Sequence, residues 1–494
     1  MSGKDADVRN QLTPTLALVL SHDLLLSKRG VALPAKHGLH ATISRHQTRL
    51  KAELTKWRTR NGFPTLEALR EDVNRKANEG NESNGRPVHP RWIRVNTLRT
   101  TLDEQLASTF KDFERVATVT DVARSGGRKL YLDEDVRNLV AVSPSVNLTT
   151  SSAYREGKLI FQDKASCFPA YLLNPTEDDG DVIDATAAPG NKTTHLAAIL
   201  RERGGTGKVF ACEKDELRSK TLEKMTKLAD PEGVIVVKGK QDFTKLDPKS
   251  KGFENVTAIL LDPSCSGSGI VGRDEGGVTV HLPSTEAAEP AKTNGKKRKR
   301  AAGKPVAEAA ESVPETPALD EETQDESQRI GSTALRERLI ALSDFQLRMV
   351  KHAMKFPSAR RITYSTCSLH GKENEDVVVQ ALLSDAAGEG GWRIMRRDEQ
   401  VEGMQRWPKR GILAAVKTFI HGCVPVDDLG AEEVAEACIR CDKSSEDGTM
   451  GFFVAGFVKD AEEVKRRYKG PLRREANELG GLSEEEEWGG FDSD

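Results

Sequence analysis

Two cysteines follow apolar runs that are typical of buried strands, and a thiol in such a place could act as a nucleophile. Cys265 closes the run Ala-Ile-Leu-Leu-Asp-Pro-Ser-Cys, and Cys367 closes the run Arg-Ile-Thr-Tyr-Ser-Thr-Cys. Ligands of an open α/β sheet bind at the carboxyl ends of its strands, so we expect both thiols in one cleft, where they would support covalent catalysis. A free cysteine is more often a small core residue, so the pair gains weight only from the motifs around it.

The residues upstream of both cysteines predict a nucleotide-type binding crevice. Residues 181–200 have the pattern of a short apolar strand, a turn of small residues and an amphipathic helix, which is the unit that opens such a crevice. A phosphate-binding P-loop is disfavoured, because Ala185 occupies its first glycine position and Asn191 separates Gly190 from Lys192. A dinucleotide fingerprint is disfavoured as well, since this turn contains a single glycine.

The next strand ends in an acid that suits a ribose. Residues 208–213 end in Glu213, at the position where an acid after the second strand hydrogen-bonds ribose hydroxyls. A ribose without a tightly held phosphate indicates S-adenosylmethionine as the cofactor. From residue 158 onward, strand and helix patterns alternate, which predicts a Rossmann-like, doubly wound, mostly parallel α/β sheet.

Charge is balanced overall but unevenly distributed. The 494 residues carry a formal net charge of −2, so the net charge of the whole chain predicts no particular partner. Residues 45–60, however, contain six Lys or Arg and one acid around Trp57, whereas the chain beyond Arg474 contains eight acids and no base. Such asymmetry is typical of nucleic-acid-binding proteins, although a solvated helix face explains the basic stretch equally well.

The cysteines and the apolar runs bound the class of protein. Seven cysteines in a chain of this length do not form a disulfide scaffold, which predicts a reducing compartment. Cys438-Ile-Arg-Cys441 has the spacing of half a zinc site, but no second half accompanies it, so we expect no metal. No apolar stretch near the start is long enough for a signal peptide or a membrane span, which predicts a soluble intracellular protein. Three further cysteines are expected to be packing residues: Cys167, Cys212 and Cys423.

Composition and pattern divide the chain into five regions. These are a helical region (1–80), a small α+β RNA-binding module (81–155), a catalytic domain in two parts (156–273 and 334–460), an insertion (274–333) and an acidic disordered tail (461–494). The insertion is rich in Ala, Glu, Pro, Thr and Lys and cannot bury enough apolar area to offset its ordering entropy, so we expect disorder there. Within it, Lys296–Arg300 is a basic pentamer that reads as a nuclear import signal, an RNA-binding patch or a solvated charge run.

Four motifs, in order, resemble those of the Nol/Nop/Sun family of RNA cytosine-C5 methyltransferases. They are Phe161-Gln-Asp-Lys-Ala-Ser-Cys, Asp184-Ala-Thr-Ala-Ala-Pro-Gly-Asn-Lys-Thr, Asp262-Pro-Ser-Cys-Ser-Gly-Ser-Gly and Tyr364-Ser-Thr-Cys-Ser-Leu-x-x-x-Glu-Asn-Glu. The run from His46 and the run Trp92-Ile-Arg-Val-Asn-Thr-Leu resemble the Sun-domain branch that modifies large-subunit ribosomal RNA. The resemblance covers residues 15–460 apart from the insertion. One departure is Glu213, where the branch often has Asp.

This resemblance implies a fold, a cofactor, a partner and a location. The fold would be a class I S-adenosylmethionine-dependent methyltransferase with an N-terminal helical and α+β RNA-binding region. The partner would be ribosomal RNA or a pre-ribosomal particle, and the protein would be monomeric, nuclear and nucleolar. An import receptor would bind Lys296–Arg300, and neither a membrane nor a metal would be involved.

The resemblance also assigns catalytic roles. C5 of cytosine attacks a methyl sulfonium poorly, so a thiolate must first add to C6 and convert the ring into an enamine. By resemblance Cys367 is that nucleophile, and Cys265 assists release of the product. Asp262 would hydrogen-bond the N3/N4 edge of the base, and Lys192 would lie near the cofactor and favour a thiolate. Lys164 is a weaker candidate for an RNA or active-site contact.

A further set of residues would hold the cofactor. Asp184 and the loop after it would hold the methionine part, Glu213 the ribose and Asp242 the adenine edge. The full set of cofactor-binding candidates is Asp184, Ala187, Ala188, Pro189, Gly190, Asn191, Lys192, Glu213, Asp242 and Asp262.

Three other functions remain open from the sequence. A transfer-RNA methyltransferase could use the same scaffold, and the sequence separates it poorly from a ribosomal RNA enzyme. A ribosome-assembly factor with dispensable activity is the alternative of another class, although RNA binding alone requires no pair of thiols. A small-molecule methyltransferase is least favoured, because it would leave the basic N-terminal block without a role.

Overall fold

The structure is a computed structural model that describes residues 13–27, 30–69, 72–73, 89–124, 127–270, 321–423 and 430–460. The chain divides into two compact units, the first comprising residues 1–80 and 276–325 and the second comprising residues 81–275 and 326–494. Two predicted features, the basic pentamer Lys296–Arg300 and the acidic tail 461–494, lie outside the described residues.

Within the described residues, the first unit has the helices α1 Pro14–Leu26, α2 Gly38–Ser44 and α3 Gln47–Arg60. Residues 66–69 and 72–73 are helical as well. Thr13 caps α1 by accepting the N–H of Leu16, and Pro14 occupies the first turn, where its missing N–H costs nothing. A small apolar cluster that includes Leu20, Val31 and Ile43 joins the helices. None of the residues of α3 is buried, and Trp57 on this helix is 51% exposed. The predicted basic stretch therefore forms an exposed helix.

A small α+β module opens the second unit. Its elements are β1 Arg91–Val95, α4 Leu102–Ala107, β2 Glu114–Arg115, α5 Val119–Arg124, β3 Lys129–Leu132, β4 Leu139–Val142, α6 Ser152–Arg155 and β5 Leu159–Phe161. The strand order is β2-β3-β4-β1-β5, and β1 runs antiparallel to β4 and β5. Because side chains alternate along a strand, Ile93 and Val95 enter one core while Trp92 enters another. The strand β1 is therefore buried on both faces.

The main domain follows with a larger sheet. Its strands are β6 Asp181–Asp184, β7 Val209–Glu213, β8 Ile235–Gly239, β9 Val256–Leu261, β10 Arg361–Thr366, β11 Trp392–Ile394, β12 Ile439–Cys441 and β13 Phe452–Lys459. Its helices are α7 Lys164–Leu173, α8 Asn191–Glu202, α9 Glu216–Ala229, α10 Glu321–Ala353, α11 Glu375–Leu383, α12 Asp385–Gly390, α13 Glu402–Arg406, α14 Leu413–Cys423 and α15 Ala431–Ala437.

The order in which the chain adds strands to the main sheet changes direction at β6. The order is β11-β13-β10-β9-β6-β7-β8, with β12 paired to β13, and the run from β8 to β10 is parallel while β13 is antiparallel. The chain moves outward from β6 to β8 and then returns to place β9 on the other side of β6. A crevice opens at such a switch point, at the carboxyl ends of the strands. The predicted doubly wound, mostly parallel sheet is confirmed.

Burial explains why the strand patterns could be recognised. All six residues of β9 are buried, and β10 is buried except at its first residue. Parallel strands covered on both faces are continuously apolar, which is the pattern that the sequence shows before both cysteines.

The helix α10 begins at Glu321, earlier than the pattern around Leu339 predicts, and its first turns are rich in Glu, Gln and Arg, which are good helix formers. Residues 274–320 of the predicted insertion lie outside the described ranges.

A buried indole packs across the junction between the small module and the main domain. Trp92 is 3% exposed, and its Nε1 donates a hydrogen bond to the carbonyl oxygen of Gly448 at 2.7 Å. Its ring packs in a core shared with Phe168 of α7 and Phe452 of β13. The module is therefore fixed to the main domain through apolar packing and a buried hydrogen bond.

Removal of this indole should destabilise the fold. We expect Trp92→Ala to lower the free energy of unfolding by about 3–5 kcal/mol, because it leaves a cavity and an unpaired carbonyl. The matched control is Trp57→Ala, whose exposed indole should contribute less than about 0.5 kcal/mol. Urea unfolding of both variants measures the difference, and equal losses would contradict the assigned role of Trp92.

Candidate active site

The two thiols that the sequence singles out lie in contact. β9 and β10 are parallel neighbours with Leu261 opposite Tyr364, so the loops after them leave the sheet side by side. The Sγ atoms of Cys265 and Cys367 are 2.9 Å apart. A disulfide would be about 2.05 Å, and both cysteines are free. The prediction that both thiols share one cleft is confirmed.

The contact makes the two thiols unlike each other. The hydrogen bond that Cys265 donates lowers the pKa of Cys367, against the opposing effects of burial and of the Asp262 carboxylate. The Lys192 ammonium lowers the pKa of Cys367 further. The same hydrogen bond, together with burial, raises the pKa of Cys265. Since a thiolate and not a thiol is the nucleophile, Cys367 is the better placed of the two to attack.

A lysine and an aspartate lie beside the thiols. Lys192 Nζ is 2.7 Å from an Asp262 carboxylate oxygen and 3.1 Å from the hydroxyl of Ser166. The other carboxylate oxygen of Asp262 accepts the Ser365 hydroxyl at 2.8 Å. Burial opposes the ammonium of Lys192, but Asp262, Asp184 and Cys367 together raise the pKa of Lys192, with Asp262 the largest of the three. Lys192 therefore stays charged within reach of both the carboxylate and the thiolate.

The loop after Cys265 requires a glycine. The backbone N–H of Gly269 donates to the carbonyl oxygen of Cys367 at 2.9 Å, and a Cβ there would lie 2.1 Å from the carbonyl oxygen of Gly451. No side chain fits between these backbones, so Gly269 allows the two cysteine loops to approach.

A cavity of about 430 Å³ lies at the carboxyl ends of β6 and β7, next to the cysteine loops. It is lined by Ala185, Thr186, Glu213, Lys214, Asp215, Glu216, Arg218, Gln241, Asp242, Phe243, Ser264, Phe345 and Met349. Two predicted cofactor residues, Glu213 and Asp242, are in its wall. Ser264 connects the cavity to the thiols, because Cys265 follows it directly.

Other predicted cofactor residues lie beneath or beside this cavity. Asp184 is buried and accepts the Thr193 hydroxyl at 2.7 Å, and burial raises the pKa of Asp184 to about 6. The loop Ala187, Ala188, Pro189 and Gly190 leads from there into α8 but does not line the cavity. The Asn191 amide turns away, donating to the carbonyl oxygen of Phe161 at 3.3 Å. The sequence did not indicate Phe243, Phe345 or Met349, which form the apolar wall, because nothing in their local pattern distinguishes them from core residues.

Lys164 has a structural position. Its Nζ lies 2.6 Å from Asp133 and 2.8 Å from Asp135, and between the rings of Trp92 and Trp407 at 5.6 and 5.0 Å. A side chain that is 4% exposed and paired in this way has no free face for RNA. The prediction of an RNA or active-site contact for Lys164 is therefore wrong.

The remaining cysteines lie in the core where their side chains are described. Cys167 and Cys212 are buried, and burial raises the pKa of each to about 12, so both are packing residues as predicted. Cys438 caps the carboxyl end of α15 and Cys441 ends β12, and the two side chains enter different apolar cores. The side chain of Cys423 lies outside the described residues.

Neither a metal centre nor a membrane helix is found where the chain is described. Within the described ranges, no group of three or more His, Cys, Asp or Glu is arranged to hold a metal ion. Within the same ranges, no helix is both long and apolar enough to cross a membrane.

Comparisons with known proteins agree with this geometry. The family model "16S rRNA methyltransferase RsmB/F" matches residues 170–287, and the model "NOL1/NOP2/Sun domain family member 5, ferredoxin-like domain" matches residues 89–162. The 25S rRNA (cytosine-C(5))-methyltransferase rcm1 of Schizosaccharomyces pombe is 36% identical over 466 residues, covering 94% of this chain and 81% of that protein. The chain belongs to the NOL1/NOP2/Sun family of RNA cytosine-C5 methyltransferases. A mouse relative, the 28S rRNA (cytosine-C(5))-methyltransferase, is 33% identical over 91% of this chain and 77% of its own length.

Among solved structures, that titled "Crystal Structure of PH0851" is 21% identical, with a TM-score of 0.48 over 85% of this chain and 74% of that one. The family resemblance predicted from the motifs is thus confirmed by the sequence relatives. The protein is an RNA (cytosine-5-)-methyltransferase and its cofactor is S-adenosylmethionine.

The cavity of this methyltransferase fits that cofactor. Glu213 and Asp242 supply carboxylate oxygens, which suit ribose hydroxyls and an amino group, and Phe243 supplies an apolar surface for a flat ring. The cavity adjoins Ser264, so a methyl group carried there would lie next to the loop of Cys265.

The thiol contact predicts the pH dependence of alkylation. Cys367 should react with iodoacetamide with a midpoint below that of the same cysteine in the unfolded chain. Cys265→Ala removes the donor and should raise this midpoint, whereas Cys265→Ser retains an O–H donor and should raise it less. Rates are measured by mass spectrometry of the peptide that contains Cys367. An unchanged midpoint in Cys265→Ala would contradict the assigned hydrogen bond.

Proposed function

We propose that this enzyme methylates C5 of a cytosine in large-subunit ribosomal RNA through a covalent bond between Cys367 and C6 of the base. The observation that carries the proposal is the pair of thiols 2.9 Å apart, one favoured as thiolate, beside the cofactor cavity. The relatives named as 25S and 28S rRNA methyltransferases support the substrate class.

The first step is addition of the Cys367 thiolate to C6. The Cys367–C6 bond forms as the C5–C6 double bond gives its electrons to the ring, which then carries negative charge toward N3. Asp262, whose carboxylate binds Lys192 at 2.7 Å, faces this site and would hydrogen-bond the N3/N4 edge. The Lys192 ammonium of this pair would supply the proton that N3 takes up, and the Asp262 carboxylate would accept the N–H of the N4 amino group.

The second step transfers the methyl group, and the third releases the product. When bound, S-adenosylmethionine would supply the methyl group as a sulfonium, and S-adenosylhomocysteine would be the leaving group when C5 of the enamine attacks. A water molecule would then take the C5 proton, the C5–C6 double bond would reform as the Cys367–C6 bond breaks and the thiolate departs, and N3 would return its proton to Lys192. Cys265, in contact with the departing sulfur, would stabilise that thiolate by donating its S–H, which gives it a role in release.

Cofactor roles follow from position. Glu213 would bind the ribose and Asp242 the adenine edge, since both line the cavity. Asp184 and the loop Ala187–Gly190 would support the methionine part, because Asp184 ends β6 and the loop leads from there to the start of α8.

RNA must present an unstacked base to this cleft. Unstacking is least costly in a loop or in incompletely assembled RNA. The exposed basic helix α3 would contribute phosphate contacts, which makes RNA affinity depend steeply on salt. An RNA substrate of this class places the protein in the nucleus and nucleolus, with Lys296–Arg300 as the segment that an import receptor would bind.

The proposal is tested by methyl transfer from labelled S-adenosylmethionine to separated ribosomal and transfer RNA. We expect label on large-subunit RNA with the wild type, none with Cys367→Ala, and a stalled RNA–protein adduct with Cys265→Ala, because elimination lacks its donor. Cys167→Ala, a buried cysteine outside the site, is the matched control and should methylate normally. Label on transfer RNA alone would overturn the substrate class. Intact RNA binding without transfer to any RNA would favour the assembly factor.

A further inference from the structure

Two adjacent residues hydrogen-bond to both of the loops that carry the thiols. Glu373 and Asn374 lie just before α11, in the Glu-Asn-Glu part of the Tyr-Ser-Thr-Cys motif. Both side chains are 0% exposed, so neither can contact RNA or cofactor from solvent. Their function must therefore be exerted through the residues that they hold.

Glu373 holds the loop of Cys265 on both sides. Its Oε1 accepts the backbone N–H of Ser266 at 2.9 Å and the side-chain amide of Gln346 at 3.0 Å. The same Gln346 nitrogen donates to the carbonyl oxygen of Ser264 at 3.0 Å. Ser264 and Ser266 are the neighbours of Cys265, so the carboxylate and the amide together fix the backbone that carries this thiol.

Asn374 holds the loop of Cys367 in the same way. Its Oδ1 accepts the Thr366 hydroxyl at 2.6 Å, and its Nδ2 donates to the carbonyl oxygen of Ser368 at 2.9 Å. Thr366 and Ser368 are the neighbours of Cys367. A contact of 3.1 Å between the hydroxyls of Ser266 and Ser368 joins the two loops directly.

The buried position of the Glu373 carboxylate lowers the stability of the fold. Among the ion pairs of the described residues, none includes Glu373, and its Oε2 is buried without a hydrogen-bond partner. A buried carboxylate without a cation is destabilising compared with an apolar residue, so packing alone does not account for it. Polar groups kept at such a cost are concentrated at functional sites.

We propose that Glu373 and Asn374 are positioning residues that together set the separation of the Cys265 and Cys367 sulfur atoms. Glu373 and Asn374 are adjacent in the chain, so the two loops are held by one short segment. If the Cys265 loop shifts and pulls on Glu373, the hydrogen bonds between Asn374 and the Cys367 loop resist the movement, and the reverse also holds. Their catalytic meaning rests on the proposed function, but the thiol contact can be measured without RNA. A failure of this inference is thus distinguishable from a failure of the ribosomal RNA assignment.

The test is the pH profile of Cys367 alkylation by iodoacetamide in full-length Glu373→Ala and Asn374→Ala. Each variant frees one loop, weakens the bond from Cys265 and should raise the midpoint for Cys367. For each pH unit by which the midpoint rises, the alkylation rate measured below the midpoint should fall about tenfold, because the rate is proportional to the fraction of Cys367 present as thiolate. Glu373→Gln retains an acceptor oxygen for Ser266 and should restore a midpoint close to that of the wild type.

Glu375→Gln is the matched control for lost stability. Glu375 is also 0% exposed, but its carboxylate pairs with Arg440 at 2.7 Å and bonds neither neighbour of a catalytic cysteine. This variant should unfold more easily and keep the wild-type midpoint. A midpoint raised as much as in Glu373→Ala would mean that general destabilisation explains the effect, and it would overturn the proposal.

The remaining results to consider are variants that fold but keep the wild-type midpoint and variants that do not fold. Unchanged midpoints in folded Glu373→Ala and Asn374→Ala, with folding judged by S-adenosylmethionine binding, would overturn the proposal. If neither variant folds, Thr366→Val decides, since it removes the hydroxyl that the Oδ1 atom of Asn374 accepts and adds no charge. A raised midpoint there supports the positioning role of Asn374, and an unchanged one contradicts it.

Discussion

The parallel pairing of β9 with β10 is the constraint on which the site depends. Parallel neighbours end at the same edge of a sheet, so the loops that follow Leu261 and Thr366 must start side by side. That adjacency brings the sulfur atoms of Cys265 and Cys367 to 2.9 Å across 102 residues of sequence. This contact also makes the two thiols unlike each other, because the hydrogen bond from Cys265 lowers the pKa of Cys367 and raises the pKa of Cys265.

The rest of the molecule maintains that contact and supplies its surroundings. β6, beside β9, leads into α8 and delivers Lys192 to Asp262, so the charged pair comes from the same edge of the sheet. Gly269 permits the two loops to touch, and the cofactor cavity opens next to Ser264. Trp92 packs the small module against α7 and β13 and hydrogen-bonds to Gly448, which fixes the module to the domain that contains the catalytic sheet.

Much of this could be predicted from sequence because the informative signals are local. Continuous apolar runs mark buried parallel strands, and residues that follow such runs must lie at the carboxyl edge, which located Cys265, Cys367, Asp262 and Glu213. The relatives then confirmed the family and the cofactor.

What sequence could not show are the partners of buried polar groups. Lys164 was expected at a functional surface, yet its acids are about 30 residues earlier in the chain and form a buried cluster around it. Glu373 and Asn374 were visible as part of a motif, but their hydrogen bonds reach Ser266 and Thr366 only after the sheet has formed. The apolar wall of the cavity was hidden for the same reason, since Phe345 lies in a helix far along the chain.

The central claim is that Cys367 forms the bond to the base while Cys265 serves the departing sulfur. The most direct measurement uses a large-subunit RNA transcript whose cytidines carry fluorine at C5, since no C5 proton can then leave and elimination is blocked. After incubation with enzyme and S-adenosylmethionine, the RNA-linked peptide is identified by mass spectrometry. The account predicts a linked peptide that contains Cys367. A linkage to Cys265 would contradict it.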